Sequence, residues 1–431
     1  MQKFFQFQER GTSFKQETVA GITTFLSMAY ILIVNPIVLS QSGMDKGAVF
    51  TATAVASIIG TLLIGILANY PIGIAPSMGL NAFFTFSVCL GMHIPWQTAL
   101  AGVFVSGILF VILSLLKIRE KIINMIPEDL KHAIVAGIGF FIAFIGLKNT
   151  GIIIANKSTF VSLGDVTSPQ VLLAIFSFIM MLVLLVRGIQ SGIFFGIVIA
   201  TIIGMIAGLI DTPKQIIGSI PSLHPTFGQV FFHLHDLLNP SMLAVIFTFL
   251  FVAFFDTAGT LIAVAGQAGI MKDNKIPNAG RALLADSLAG VFGSILGTST
   301  PATMVESSSG IAAGGRTGFT SIVIAIGFAI SLFFSPLLSV ISTEVTSPAL
   351  IIVGGLMAMQ VKAINWNKLE IAIPSFVIII MMPLTYSVAT GIALGFILYP
   401  ITMLVKGKGK QIHPLMYVLF IAFLAYFIYL A

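Results

Sequence analysis

The sequence predicts an all-α polytopic membrane protein: fourteen spans in two inverted repeats of seven, short extended segments in spans 3 and 10, and an extra apolar segment at the C-terminus. Composition points there first. Of 431 residues 57% are hydrophobic and only 8% charged, with a mean hydropathy of +1.07, whereas a soluble domain carries roughly 25% charged residues. Apolar runs long enough to cross a hydrocarbon core of about 30 Å follow one another almost from end to end and leave no room for a soluble domain. A weak internal repeat supplies the third observation.

The expected spans, in order, are Thr18–Leu39, Ala48–Asn69, Ile72–Leu90, Gln97–Leu116, Ala133–Leu147, Val171–Val186, Gly192–Ile210, Met242–Ala263, Ala282–Leu296, Pro301–Ala313, Thr320–Ile341, Pro348–Val361, Ile371–Tyr386 and Gly391–Val405. Leu415–Leu430 is the further apolar segment. With the N-terminus in the cytoplasm, alternate loops gather Lys117, Arg119, Lys121 and Lys131, then Arg187, Lys272, Lys275, Arg281, Arg316, Lys362, Lys368, Lys406, Lys408 and Lys410. Together with Lys3, Arg10 and Lys15 this places 17 of the 21 basic residues inside, as the positive-inside rule requires. The polar N-terminus has no apolar core or small-residue cleavage site of a signal peptide.

The repeat is carried by matches in the same order in both halves. "TFL" at Thr24 recurs at Thr248, "PSMGLN" from Pro76 aligns with "PATMVE" from Pro301, and "SGIFFGIVI" from Ser191 aligns with "TGIALGFIL" from Thr390. Seven spans per copy start the second copy on the opposite face, so the halves are inverted, and paired interrupted segments in such halves point to a transporter's binding site. "YPIGIAPSMGLNAFF" and "LGTSTPATMVESSSG" are those segments. Irregular backbone at membrane depth survives only where it is buried in protein or lines a watery cavity. Each therefore reads as an extended stretch followed by a half-helix, starting near Ser77 and Ala302, with free N–H groups and positive dipole ends aimed at a central site.

Of 15 acidic residues only Asp256, Asp286 and Glu306 fall within spans, where a charge costs about 2.5–3.5 kcal/mol on insertion scales. Asp256 stands in "FVAFFDTAGTL" with Thr257 and Thr260 beside it, and Glu306 precedes three serines. The candidate substrate-binding set is Asp256, Glu306, Asn81, Thr260, Ser307, Met304 and Gly79; the candidate proton carriers are Glu306, Asp256 and Asp286. The bland alternative for each carboxylate is a buried hydrogen-bonded pair or cap that fixes helix packing, and it weighs most for Asp286, which sits in an otherwise ordinary helix. Asn81 is raised above a backbone cap by its alignment with Glu306.

Other features carry less. "SGIAAGGRTG" lacks the order of a phosphate-binding loop; its glycines suit close helix contact and a turn before Arg316. His224, His233 and His235 lie in the connection 211–240, expected outside and solvated, with an H-x-H pair able to hold a stray metal. Cys89 is the only cysteine, which excludes an intrachain disulfide and a multi-cysteine metal site. The net charge of +6 is spread over loops rather than gathered in a patch, which argues against nucleic acid. No metal or cofactor set is evident. Most of the 37 phenylalanines face lipid or core, with room for one or two to stack on a flat ligand.

"FFDTAGTL", "LGTSTPATMVESSSGIAAGGRTG", "GIAPSMGLNAFF" and "IPSFVIIIMMPLTYSVATGIALGF" together resemble the AzgA-like branch of the nucleobase-ascorbate transporter superfamily, the adenine/guanine/hypoxanthine permeases, over essentially the whole chain. The resemblance implies a core domain (spans 1–4, residues 1–116, and spans 8–11, residues 240–341) and a gate domain (spans 5–7, residues 117–239, and spans 12–14 with the C-terminal segment, residues 342–431). It further implies a purine held between spans 3 and 10 beside span 8, with Asp256 and Glu306 binding the base and Asn81 contributed by span 3. Proton symport, an elevator-like step, a homodimer and a cell-membrane location complete what it implies. Ala253 departs from the family pattern, in which an acidic residue often stands three positions before the span-8 aspartate, and this leaves fewer carboxylates to carry a coupled proton.

An ionised carboxylate accepts from two ring N–H donors of a purine, and backbone N–H groups at a half-helix start serve its acceptors. The competing readings are a same-fold carrier of uracil, xanthine or a small anion, an ion channel, and an integral membrane enzyme. No intramembrane His cluster, nucleophile motif or metal-ligand set favours the enzyme. The sequence leaves open the order of preference among hypoxanthine, guanine and adenine, the choice of proton or sodium, and whether 415–430 crosses the membrane.

Overall fold

The computed structural model describes residues 2–116, 127–238, 240–267 and 278–429. Helices dominate: α1 Phe14–Met28, α2 Ile31–Ser40, α3 Lys46–Leu67, α4 Met78–Ala82 running on into a π-helix Phe83–Gly91, α5 Trp96–Leu115, α6 Glu128–Asn149, α7 Pro169–Val186, α8 Gly192–Ile206, α9 Gln229–Phe232 and α10 Pro240–Gln267. They continue with α11 Ala279–Leu296, α12 Ser307–Ala312, α13 Gly318–Ser331, α14 Thr343–Ala358, α15 Leu369–Thr385, α16 Val388–Val405 and α17 Pro414–Tyr429, and the described strands are β1 Ile74–Pro76, β2 Ile153–Asn156, β3 Phe160–Leu163 and β4 Pro301–Thr303. Among the described residues nine helices are long and apolar enough to cross a membrane, and five further apolar helical stretches, one of them Val245–Phe254 within α10, are shorter. The chain is a helical, multi-pass membrane protein.

Local chemistry sets several boundaries. Ser13 accepts from Gln16 N and opens α1; the Asp45 carboxylate accepts from Ala48 N at 2.7 Å and opens α3; Thr317 and Ser387 do the same for α13 and α16. A side-chain acceptor at this position satisfies one of the orphan donors of the first turn. The glycines after Glu306 serve as the sequence suggested. A Cβ on Gly310 would run into Thr24 Oγ1 and the Ala20 carbonyl, so α12 lies directly on α1, and Gly314 turns the chain at φ +104 just before Arg316.

The helices pack in two groups. In one, α3 lies against α2, α11 and α13, α5 against α10 and α11, and α1 against α12 and α13. In the other, α6 lies against α14 and α15, α7 against α8 and α14, and α15 against α16. α17 lies on α16 and turns Met416 and Phe423 inward, with Val418, Ile421 and Ile428 exposed.

One end of the first group is tied by the N-terminal segment. Arg10 donates to the carbonyls of Asn69 and Arg316. The fully buried Glu17 carboxylate accepts from Arg316 N, Thr317 N, Thr320 N and Thr320 Oγ1, the last at 2.6 Å, around the start of α13. The opposite end holds the connection 207–228, where Thr51 Oγ1 donates to the Pro221 carbonyl.

One expectation holds and one is corrected. The connection 211–240 is largely exposed where it is described, and it is locally ordered: His233 Nδ1 and His235 Nε2 each lie 2.9 Å from a different oxygen of Asp236, which also accepts from Thr98 Oγ1. Among the described residues no group of three His, Cys, Asp or Glu is placed to hold a metal. The second half-helix begins at Ser307 rather than near Ala302, because Pro301–Thr303 is extended and paired with the first interrupted segment.

Candidate functional site

The two interrupted segments meet each other. β1 (Ile74–Pro76) pairs antiparallel with β4 (Pro301–Thr303) in the register Ile74↔Thr303, Ala75↔Ala302 and Pro76↔Pro301. Buried at the centre of a membrane protein, this backbone has no lipid partner for its polar groups, and neighbouring side chains supply them. Ile72 N donates to Ser321 Oγ, Gly73 N to Ser307 Oγ, Ile74 N to Thr61 Oγ1 and Thr303 N to Asp286 Oδ1, all at 2.9–3.1 Å. Met304 N to the Gly73 carbonyl and Ser77 N to the Thr300 carbonyl extend the ladder at its two ends. The opposed prolines, which have no N–H, close it on one side.

From this pair the chain departs into the two half-helices. Ser77 is the N-cap residue of α4, and Gly79 and Asn81 lie in its first turns. Asn81 is fully buried, accepts from Ser299 Oγ just before β4, and points Nδ2 at Met78 Sδ. Across the pair, Met304 and Val305 make the turn and Glu306 is the N-cap residue of α12, so it stands at the helix start itself rather than a turn beyond it. Its Oε1 accepts from Tyr30 Oη at 2.6 Å, and Tyr30 is the buried joint between α1 and α2. That phenol is the side-chain partner of Glu306 among the described residues.

The remaining candidates divide. Gly79, with Ser77, lines a narrow cavity whose far wall is Ile134, Val135 and Ile138 of α6 and Met357 of α14, with Val252 of α10 at its side. A Cβ on Gly79 would stand 3.0 Å from Ile138 Cγ2, so glycine lets the α6 wall come against the half-helix. Met304 and Thr260 are buried. Ser307 and Asp286 are engaged elsewhere: the Ser307 hydroxyl holds Gly73 N, and Asp286, 6% exposed, gives one oxygen to Thr303 N and the other to Thr257 Oγ1 at 2.8 Å. Asp256 belongs to α10, and its side chain lies outside the described residues.

Sequence reasoning missed two contributors, both from the first span. Asn35 donates to Thr53 Oγ1 at 2.7 Å and Thr298 Oγ1 at 3.0 Å, tying α2 to α3 and to the chain entering β4. An asparagine inside "ILIVNP" was a readable signal, since polar groups within apolar spans need partners. Tyr30 offered none, because a tyrosine in a membrane protein ordinarily marks an interface.

A crossed pair of half-helix starts carrying a carboxylate and an amide, inside a bundle of apolar helices, defines a multi-pass membrane permease. The chain belongs to the Xan_ur_permease family, the "Permease family", whose model matches residues 15–394. It is 59% identical over the full length of both chains to the guanine/hypoxanthine permease PbuG of Bacillus subtilis (strain 168). It is 46% identical to PbuO of the same organism, also a guanine/hypoxanthine permease, covering 97% of this chain and 98% of that one. The adenine permease AdeP of Escherichia coli (strain K12) is 38% identical over 98% of this chain and 95% of its own. The motif resemblance is borne out, and these relatives are named permeases, not enzymes. Among solved structures, the transmembrane domain of the cyanobacterial bicarbonate transporter BicA matches with TM-score 0.60 at 16% identity, covering 86% of this chain and 96% of that one. SLC26A9 matches with TM-score 0.62 at 13% identity, covering 92% and 67%. At such identities these two show the shared fold alone.

Proposed function

We propose that the chain is a purine nucleobase transporter of the cell membrane, taking up guanine and hypoxanthine, with adenine as a third substrate, by proton symport. The observation that carries this is Glu306 at the start of α12, bonded to a phenol, with a second half-helix starting at the other end of the same β1–β4 pair. A purine presents ring N–H donors beside a carbonyl or ring-nitrogen acceptor. The carboxylates of Glu306 and Asp256 suit the donors, and the N–H groups at the half-helix starts suit the acceptors. Such a site discriminates because a wrong base leaves a buried polar group unpaired. The names of the relatives support the same substrates.

In this reading the fourteen spans form two inverted repeats, the two helix groups are core and gate, and the core carries the base past the gate wall of α6 and α14 in an elevator-like step. The separation of the helix contacts into those groups supports it. The N-terminus faces the cytoplasm, because the basic loops then lie inside, and two copies assemble as a dimer. Glu306 and Asp256 share the coupled proton, taken up outside and released inside. Asp286, with both oxygens occupied by the protein, acts as a strut. An anion carrier is the second reading, since the structural neighbours include a bicarbonate transporter; a carboxylate at the helix gap opposes it.

The test is radiolabelled hypoxanthine uptake in cells lacking their own purine permeases, with and without a protonophore, and with excess guanine, adenine, uracil or xanthine. Saturable uptake that collapses with the protonophore and yields to guanine is expected, and Glu306→Gln should uncouple or abolish it. Normal pH-dependent uptake in Glu306→Gln refutes the role of Glu306. No purine uptake by protein shown to be in the membrane refutes the substrate class.

A further inference from the structure

A second cavity lies on the same seam between the two helix groups. It measures about 350 Å³ and is lined by Ile37, Ser40 and Gln41 at the end of α2, Lys46 at the start of α3, Asn149 at the end of α6 and Thr343 at the start of α14. The first four belong to one group and the last two to the other. All six stand at the end of the bundle opposite to the Glu17–Arg316 cluster, the outer end in the orientation given above.

The lining is rich in donors. The Asn149 side-chain nitrogen is buried without a hydrogen-bond partner among the described residues. The Lys46 ammonium gives one of its three protons to the Leu338 carbonyl at 2.9 Å and keeps two. The α14 start has no side-chain cap: Ser342 precedes it and its own buried hydroxyl is unpaired among the described residues, so the first-turn N–H groups of α14 have no capping acceptor. A lone buried donor is unfavourable, and a ligand acceptor would relieve it.

Position connects this cavity to the central site. α2 runs from Tyr30, which holds Glu306, to Ser40, and α6 runs from Ile138, against Gly79, to Asn149. At about 1.5 Å per residue each path is roughly 15 Å long. The same two helices therefore wall both places.

We infer that this cavity is a docking site on the outer side, where a planar heterocycle is held by its carbonyl or ring-nitrogen edge before it reaches the half-helix starts. The inference rests on the purine reading proposed above. Its chemistry is complementary to the central site: here the protein supplies donors to the acceptor edge, and there carboxylates take the N–H edge. A base arriving acceptor-first at Lys46 and Asn149 leaves its N–H edge free for Glu306.

The test places a reporter at Gln41, which lines the cavity and is exposed. Cys89, the single native cysteine, is buried, so the parent chain is the unlabelled control. Gln41→Cys is labelled in whole cells with a membrane-impermeant methanethiosulfonate, with and without millimolar hypoxanthine, alone and combined with Glu306→Gln. Hypoxanthine is expected to slow labelling several-fold in both backgrounds, and Lys46→Met to remove that protection in the Glu306→Gln background. In otherwise native protein, Lys46→Met should raise the half-saturation concentration of influx about tenfold, the effect of one charge-assisted hydrogen bond, with the maximal rate kept. Protection that vanishes with Glu306→Gln, or labelling only from the cytoplasmic face, overturns the docking site. Uptake by the parent without protection overturns this site alone; absence of both overturns the purine reading beneath it.

Discussion

Replacing Asp286 separates a strut from a proton carrier. Its two oxygens accept from Thr303 N at 3.1 Å and Thr257 Oγ1 at 2.8 Å, inside a pocket that leaves it 6% exposed. Asp286→Asn keeps its oxygen on Thr303 N and can donate its NH2 to the Thr257 hydroxyl oxygen, so it loses the charge and obliges the Thr257 proton to find a new acceptor, at most about 1–3 kcal/mol. Asp286→Ala leaves both unpaired, about 2–6 kcal/mol in all, against a folded-state margin of about 5–15 kcal/mol for ordinary proteins. Thermal unfolding of detergent-purified protein should therefore rank parent above Asn above Ala, and uptake should fall only in proportion to folded protein in the membrane. An Asp286→Asn protein as stable as the parent, yet with pH-independent uptake, would refute the strut and make Asp286 a proton carrier.

Three further outcomes are expected. Tyr30→Phe keeps the ring in its buried place but removes the donor to Glu306; losing a hydrogen bond to a charged group, about 1.5–3 kcal/mol, should lower uptake efficiency at least tenfold without changing the amount of folded protein, as read from uptake kinetics and size-exclusion profiles. Glu17→Ala strips four donors around the start of α13 of their acceptor, and should lower thermal stability by several kcal/mol, whereas Glu9→Ala on the exposed side of the same segment should be silent. Asp236 is held below the usual carboxylate range, chiefly by the hydrogen bond from His233. Its contribution to the fold of the connection is thus complete above the ordinary aspartate value and lost as pH falls through the lowered one; limited proteolysis between residues 211 and 240 should be slow at neutral pH and fast in strong acid, and Asp236→Asn should abolish that difference.

Much of this architecture was readable because lipid leaves the chain few choices. Apolar runs placed the helices, and proline and glycine in "YPIGIAP" and "LGTSTPA" marked where helix would fail. The two interrupted segments were legible as partners by alignment, but not as a hydrogen-bonded pair, since strand register depends on contacts more than 200 residues apart. For the same reason the second half-helix was expected too early: residues after Pro301 have helical neighbours in sequence, yet the edge of β1 claims them first. Charge flagged both Glu306 and Asp286, and the ordinary helix around Asp286 already favoured a packing role there; their partners separate them further, a phenol for one and a backbone amide with a threonine for the other. Tyr30 was invisible because nothing local distinguishes it from any other aromatic residue of the spans.

The β1–β4 pair has a consequence for how preference changes among related carriers. Its amides are held by ladder bonds, by hydroxyls from α3, α12 and α13 and by the Asp286 carboxylate of α11, so the floor of the site is a stiff crosspiece that cannot reshape itself around a different base. Adjustment to a new purine then falls to groups that approach from other elements, Tyr30, the α10 face and the α6 wall. Selectivity should drift along those surfaces while the floor stays constant, and exchanging wall residues with an adenine permease is where a switch of substrate would begin.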